Sequence, residues 1–572
     1  MDVSIAAWAL ACVLGLAALF SPSAARAQTT PDAGSLRQQI ERERPLAPLP
    51  DKAGPLQGVA PAPMKLPPGQ TLVVKAYRFS GNLLLGDAQL QSAVQAFVGT
   101  LGFDALTQAA QAVAKAYRDA GWIVRAYLPE QDVTEGTVTI QIVEARFAGA
   151  RLQAGATSRV AERLVLAHVN AAQPVGEALS APALDRALLL ADDLPGVSVV
   201  GTLEPGAGDG ETALALDLKA TPALSGELSL DNTGARSTGS SRAVFSAGWS
   251  SPRGLGDLAR VDALHTAGSD YARLAYSLPV GMHGMRVGLN ASRLNYRLVG
   301  ADFAALNGRG NSTATGADAS YPLLRSRSRN VYVSAAYDDK RFRNEANGAL
   351  QSHYRVEAFT LGLSGNAYDD LGGGGSTSLG LALQTGTVSQ GRLDMGENPA
   401  LGGRVNKLRY NAARQQVISR QFVLAASLNG QYARRDFDSS ERFYLGGAGG
   451  VRAYPANEAG GSRGQLLNLE LRWRPNDAVV LTAFHDSGRV RNFGNAGPSY
   501  GLQGHGLALN WQAPKGVQVK ATWAAREGRN PNPTATGRDQ DGSLQRNRVW
   551  IGLTLPFEFG AAAARAQLIP PA

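Results

Sequence analysis

The stretch Val549-Trp550-Ile551-Gly552-Leu553-Thr554-Leu555-Pro556-Phe557-Glu558-Phe559 alternates large apolar residues with small or polar ones. Successive side chains of a strand point to opposite faces, so Val549, Ile551, Leu553, Leu555, Phe557 and Phe559 share one face. Upstream, Leu467, Leu469, Leu471 and Trp473 alternate with Asn468, Glu470, Arg472 and Arg474. Val517, Val519, Ala521 and Trp523 do the same against Gln518, Lys520 and Thr522. A soluble sandwich or propeller would bury the apolar face in a core, which explains less well why the opposite faces are charged. Lipid on one side and water on the other accounts for both.

From Leu224 to Phe559 helical periodicity is absent, and strand-length segments recur between Gly, Asn, Asp and Pro. Counting them gives sixteen, beginning near Gly226 and pairing as hairpins. The 66 glycines in 572 residues suit many short strands joined by turns. After residue 20 no run of about 18 apolar residues occurs, so a spanning helix is not expected; barrel strands escape that test.

Within this array lie two short motifs. Gly446-Gly447-Ala448-Gly449-Gly450-Val451-Arg452-Ala453-Tyr454-Pro455 is a glycine-rich loop with one arginine. Phe484-His485-Asp486-Ser487-Gly488 sits in a strand-like run, with Phe484, Asp486 and Gly488 on one face. A glycine-rich loop can fold back and carry a cation into a cavity. An inward carboxylate such as Asp486 wants that partner, because an unpaired charge away from bulk water is costly.

The pair resembles the two signature motifs of the TpsB outer-membrane transporters of two-partner secretion, the ShlB/FhaC/HecB family. The resemblance implies a lumen loop (Val451, Arg452, Ala453, Tyr454) whose arginine meets the strand aspartate. Ala453 stands where the commonest family form has glycine, which bears on the backbone path of the loop tip. Asp231-Asn232-Thr233-Gly234, in the first barrel strand, also resembles the family.

The N-terminal part is built differently. Residues 1–27 read as a signal peptide, with an apolar stretch from Ile5 to Phe20 and Ala25-Arg26-Ala27 before Gln28. Its n-region carries Asp2 and no Lys or Arg. Cys12, the single cysteine, lies within it, so disulfides and thiolate sites are not expected in the mature chain. In 28–68, Ser35 to Arg44 reads as a short polar helix, and Pro45 to Pro68 holds eight prolines, a semi-rigid linker. Composition alone leaves a plain spacer open; the resemblance implies a helix that plugs the barrel.

Residues 69–145 follow a β-α-α-β-β pattern: strand Val73–Phe79, helices Asp87–Val98 and Leu106–Ala120, strands Trp122–Leu128 and Thr137–Val143. The second helix places Val113, Ala116, Tyr117 and Ala120 on one face. This resembles a POTRA domain, and Gly121 to Asp132 is close to the TpsB wording. A weaker copy spans 146–221, with helices at Val160–Val169 and Ala183–Asp192 and strands at Val197–Leu203 and Thr212–Leu218; a generic α/β module stays open there.

The net charge of +9 raises the question of nucleic acid, but the cations are scattered along strands rather than clustered. A polar lumen or anionic lipid head groups suit them better. Gly460-Gly461-Ser462-Arg463-Gly464 and Gly497-Pro498-Ser499-Tyr500-Gly501 match a hydrolase pattern that needs a strand-turn-helix context, and both fall in loops between strands. The six histidines are dispersed, and no phosphate-binding Gly-Lys-Ser/Thr loop is present. No enzyme, cofactor or metal is expected.

The expected fold is a transmembrane 16-stranded antiparallel barrel (222–560, with a tail at 561–572) preceded by two α/β POTRA domains and an N-terminal helix. The resemblance implies a bacterial outer-membrane protein with POTRA domains in the periplasm. It would secrete a TpsA-type exoprotein, a β-helical adhesin, haemagglutinin or haemolysin. Outer-membrane lipid and the barrel-assembly machinery are the other implied partners. Val124, Tyr127 and Leu128 are candidate cargo contacts. An assembly factor of the same superfamily, a passive porin and an outer-membrane enzyme are the alternatives.

Overall fold

The computed structural model describes residues 31–43, 57–58, 71–133, 135–390, 402–493, 499–534 and 536–560. The expected signal peptide, most of the linker and the C-terminal tail lie outside them.

Sixteen antiparallel strands close a barrel. They are β10 (Leu224–Asp231), β11 (Arg242–Ser250), β12 (Leu258–Thr266), β13 (Ser269–Val280), β14 (Met285–Arg297), β15 (Arg309–Arg325), β16 (Arg329–Ala346) and β17 (Ala349–Asp369). There follow β18 (Gly375–Gln390), β19 (Gly403–Val417), β20 (Phe422–Ala433), β23 (Arg463–Asn476), β24 (Val479–Arg491), β25 (Tyr500–Gln512), β26 (Gln518–Arg526) and β27 (Asn547–Phe559). Closure joins β27 to β10, with Phe559 opposite Leu224 and Leu553 opposite Leu230. The apolar face of the alternation points outward: Leu274, Leu289, Leu383 and Ile551 are all more than half exposed. So large an apolar exterior is a membrane surface.

The connections fix the orientation. Short turns at 281–284, 326–328 and 477–478 lie at the end entered from the N-terminal domains, and long connections at 434–462 and 527–546 lie at the other. Outer-membrane barrels carry short periplasmic turns and longer outer loops.

Two α/β units precede the barrel. In the first, β3 (Ala76–Ser80) runs parallel to β6 (Thr137–Glu144), which pairs antiparallel with β5 (Val124–Tyr127). Helices α2 (Asp87–Val94) and α3 (Phe103–Asp119) cover this sheet, burying Leu90, Val113 and Tyr117 against Val138, Ile140 and Ile142. The expected first strand is broken at Lys75. There Lys75 and Ala76 both donate to the Gly136 carbonyl, and β2 (Thr71–Val74) instead pairs with β4 (Gly99–Gly102). Ala120, expected on the buried helix face, is exposed. The helix stops at Asp119, and Gly121 turns the chain at φ +89°, a conformation that favours glycine.

The second unit has the same order. Its sheet contains β7 (Arg146–Leu152), β8 (Ser198–Pro205) and β9 (Glu211–Lys219), covered by α4 (Glu162–Ala172) and α5 (Ala181–Asp192). The linker strand β1 (Gln57–Gly58) adds in parallel to β8. This unit docks on the barrel turns through charge. Arg325 grips Asp193 with two bonds of 2.8 Å, Arg327 meets Asp185 at 2.7 Å, and Arg186 donates to the Pro322 carbonyl at 2.9 Å.

Helix α1 (Ala33–Glu43) lies inside the barrel. Asp32 begins it by accepting from the Ser35 amide at 2.8 Å. Leu36 and Ile40 pack on Leu294, Phe342, Tyr354 and Val356, which face inward from β14, β16 and β17. Ala33 donates to Asn344 at 2.9 Å, and Arg37 donates to Ser312 at 3.0 Å.

Candidate functional site

The chain between β20 and β23 folds back into the lumen, tied by a small hairpin of β21 (Phe443–Tyr444) and β22 (Gly460–Gly461). Its tip is a succession of tight turns: Val451 donates to the Leu445 carbonyl at 2.8 Å, Gly450 to Gly447 at 2.9 Å, and Tyr454 to Val451 at 3.0 Å. Gly447 adopts φ +107°, which glycine alone takes without strain. Ala453 is not left-handed, so the alanine is compatible with this path.

At the tip, Arg452 reaches β24. Its Nε and Nη2 donate to the two Asp486 carboxylate oxygens at 2.9 and 2.7 Å, and its backbone N–H donates to the same carboxylate at 3.0 Å. Nη1 donates to Glu470 of β23 at 2.9 Å. The guanidinium lies 3.5 Å from the centre of the Phe484 ring, a cation–π contact. Asn468 donates to Asp486 at 2.8 Å and to the Gly450 carbonyl at 3.2 Å, so one side chain holds both loop and anchor. Trp550 of β27 donates its indole N–H to the Arg452 carbonyl at 2.8 Å.

The pair is dry. Asp486 is fully buried and Arg452 is 8 % exposed. A buried ion pair holds only when its remaining hydrogen-bonding groups are matched, and here they are. Val451, Ala453 and Tyr454 pack with Leu445, Leu466, Phe484 and Leu502. Two strand glycines make room for them: a methyl on Gly488 would come within 2.6 Å of Leu445, and one on Gly504 within 2.6 Å of Ala453. The structure thus brings Val451, Arg452, Ala453, Tyr454, Phe484, Asp486 and Gly488 into one cluster.

Val124, Tyr127 and Leu128 lie elsewhere, in the first α/β unit. Val124 and Leu128 pack against its core. Tyr127 pairs with Gln141 on β6 and carries the Arg125 guanidinium over its ring at 5.1 Å.

Two further anchors hold the loop, and neither was read from the sequence. In the short 3-10 turn Ser439–Glu441, Glu441 is buried and meets Lys407 of β19 at 2.6 Å and Lys340 of β16 at 3.5 Å. Gln384 of β18 donates to it at 2.8 Å. Burial alone would raise this carboxyl, but Lys407 and Lys340 overcome it and hold Glu441 far below the usual carboxylate range. Lys340 also faces Glu41 of α1 at 4.0 Å. Helix α1 touches the loop directly as well: Ser439 donates to Asp32 at 2.7 Å and Arg42 to the Gly446 carbonyl at 2.9 Å. Strand parity places Lys340 and Lys407 in the lumen, but parity carries no information on which loop residue they meet.

Glu458 is the other anchor. It is fully buried and accepts from Asn530 and from the Gln540 amide, both at 2.9 Å, joining the lumen loop to the β26–β27 connection. Burial pushes its carboxyl up to about 7. Asn457 and Ala459 on either side are left-handed, at φ +61° and +59°, and turn the carboxylate toward its partners.

Ser462 of the first hydrolase-like pattern is fully buried; its hydroxyl donates to Asp436 at 3.1 Å and accepts from the Phe437 amide at 2.9 Å. A strand follows it, not a helix. The second pattern lies partly outside the described residues. His485 faces away from Asp486 and meets Glu527 on the outer wall at 3.4 Å.

Residues 210–511 match the family model described as haemolysin secretion/activation protein ShlB/FhaC/HecB, and residues 72–145 match the ShlB-type POTRA domain. The heme/hemopexin transporter protein HuxB of Haemophilus influenzae (strain 86-028NP) is 25 % identical over 492 residues, 82 % of this chain and 85 % of the relative. The outer membrane transporter CdiB of Dickeya dadantii (strain 3937) is 22 % identical over 497 residues, with the same coverage of 82 % and 85 %. Among solved structures, CdiB from Escherichia coli superimposes with a TM-score of 0.69 at 20 % identity, covering 91 % of this chain and 95 % of that one. The CdiB structure from Acinetobacter baumannii gives 0.61 at 17 % identity, with 91 % and 96 % covered. With a loop arginine pinned inside a closed barrel, a POTRA domain before it and the family model spanning more than half its length, the chain belongs to the ShlB/FhaC/HecB family of haemolysin secretion/activation proteins.

Proposed function

We propose that this outer-membrane barrel exports one long TpsA-type exoprotein, the cargo of two-partner secretion, and carries out no covalent chemistry. The observation that carries this reading is the lumen itself. Helix α1 and the Arg452 loop occupy it, each through contacts that can be broken without breaking the wall. A passive porin has no use for two α/β units at its mouth or for a loop fastened inside its lumen. An assembly factor inserts proteins laterally and does not account for an α1 helix matched residue by residue to the inner wall.

Cargo capture falls to the first α/β unit. The outer edge of β5 is unpaired along Val124–Tyr127 among the described residues, and an extended segment can add there by main-chain hydrogen bonds. Tyr127 is the side chain available beside that edge, because Val124 and Leu128 turn toward the core. Folding of the cargo outside the cell makes its return unfavourable and supplies the direction. The barrel-assembly machinery inserts the transporter itself.

The test is secretion of the cognate exoprotein by Arg452→Ala, scored against insertion by heat-modifiable gel mobility of the outer-membrane fraction. The variant is expected to insert and to secrete at most a tenth of the wild-type amount. Normal secretion would remove the loop from the mechanism.

A further inference from the structure

On the outer wall at the loop-bearing end, β14 to β17 carry six arginines: Arg293, Arg297, Arg309, Arg341, Arg343 and Arg355. Their neighbours Ser292, Leu294, Tyr296, Ser312, Phe342 and Tyr354 face the lumen, several of them against α1, so by alternation the arginines face out. The register stacks them. Arg297 lies opposite Arg309, Arg341 opposite Arg355, and Arg343 opposite His353. Like charges directly opposite one another destabilise a sheet.

The local carboxylates do not balance this charge. Glu345 is shared by Arg309 and Arg343, at 2.9 and 2.7 Å, and Asp339 by Arg355 and Arg341, at 2.8 and 3.5 Å. Glu357, at 3.0 Å from Arg355, is the third acid within the patch, and Asp270 of β13, opposite Asn295, is a fourth at its edge, which leaves six arginines against four carboxylates. Arg293 donates to Asn295, and Arg297 to the Ala267 carbonyl. The shared acids are 16–17 % exposed, whereas Arg309 and Arg341 are 63 % and 62 % exposed. The shared carboxylates thus sit beneath the patch and the guanidiniums stand at its surface.

Its height on the wall selects the partner. Leu289, Tyr337 and Phe359 form one outward row with Ala317, and the row of Arg293, Thr313, Arg341 and Arg355 lies two rows beyond it. Tyr337 bonds Glu357 at 3.0 Å, as an aromatic at a membrane interface does with its polar tip. The arginines therefore begin where the apolar belt ends, on the outer-leaflet side.

We propose that this patch binds the phosphorylated headgroup of an outer-leaflet glycolipid, with acyl chains lying along Leu289 and Phe359 and phosphates bridging the stacked arginines. A planar guanidinium meets phosphate with two parallel bonds, and one phosphate between opposed arginines relieves their repulsion. The proposal rests on the outer-membrane location, which heat-modifiable mobility of the same preparation checks separately.

The test is binding of lipopolysaccharide to the purified, delipidated full-length protein, followed by native mass spectrometry. The variant Arg293→Gln/Arg309→Gln/Arg341→Gln/Arg343→Gln should bind at least tenfold more weakly, and Arg409→Gln, on the lumen face of β19 two residues beyond Lys407, should bind as wild type does. Phosphatase-treated lipopolysaccharide should bind the wild type at least tenfold more weakly too, a comparison that stands even if the fourfold variant fails to insert. Equal binding of the treated lipid, or of the fourfold variant, would overturn the proposal. Equally tight binding of phosphatidylglycerol or of inorganic phosphate would overturn the assignment to a glycolipid.

Discussion

Arg452 holds Asp486 by three hydrogen bonds of 2.7 to 3.0 Å, one of them from its own backbone N–H. The loop tip is therefore fixed by main chain and side chain together. Removing one partner of such a buried pair leaves the other charge stranded, at a cost of about 3–5 kcal/mol, against about 0–1 kcal/mol for an exposed pair. Arg452→Ala and Asp486→Ala should each abolish loop docking, and the double variant should be no worse than either. Additive losses in secretion across that cycle would show that the two residues act separately. Arg452→Lys should also fail, since one ammonium cannot make both the Asp486 fork and the Glu470 bond.

Glu441 is the counter-charge for Lys407 and Lys340 at once. Glu441→Gln should cost about 3–5 kcal/mol locally. Because Ser439, two residues away, also holds Asp32 at the start of α1, the loss should loosen the helix. Single-channel recordings in planar bilayers should then show the variant conducting for a larger fraction of time than wild type. An unchanged open fraction would separate the Glu441 cluster from the seating of α1.

Deletion of 69–145 removes the first α/β unit, whose core is its own. The second unit keeps its ion pairs to the barrel turns through Asp185 and Asp193. The truncated chain should insert and secrete nothing, as read by cargo in the medium. Continued secretion would rule out capture at β5.

Glu458 carries a pH dependence whose sign follows from its burial. Its carboxyl is raised in the folded loop to about 7, so its stabilising contribution is complete below the unfolded value near 4.5 and is lost as pH rises through about 7. The shift corresponds to about 3 kcal/mol as an upper bound. Amide protection factors in 527–546, taken relative to the intrinsic exchange rate at each pH, should be higher at pH 6 than at pH 8, and Glu458→Gln should flatten that difference. Equal protection in wild type at both pH values would contradict the assignment.

Much of the architecture is visible in local patterns. Alternation from Leu467 to Trp473 and from Val549 to Phe559 marks wall strands because a two-residue period needs no knowledge of partners. Phe484, Asp486 and Gly488 share a face for the same reason. Contacts between residues far apart in the chain are a different matter. Lys407 and Glu441, or Glu458 and Asn530, meet only because the loop folds into the lumen at one depth, and neither parity nor composition encodes depth. The break at Lys75 and the exposure of Ala120 depend on tertiary hydrogen bonds and on a helix ending one residue early, details that propensity does not resolve.

Helix α1 is made before any strand of the wall that encloses it, and that wall is completed only when the last strand, β27, meets the first, β10. Synthesis order and enclosure order are thus reversed. The helix enters through the near mouth after closure or is encircled as the final seam forms. In the first case the contacts of Leu36, Arg37 and Ile40 follow the β10–β27 seam; in the second they form on β14 to β17 while the sheet is still open, so the moment at which they appear relative to the seam tells the two routes apart.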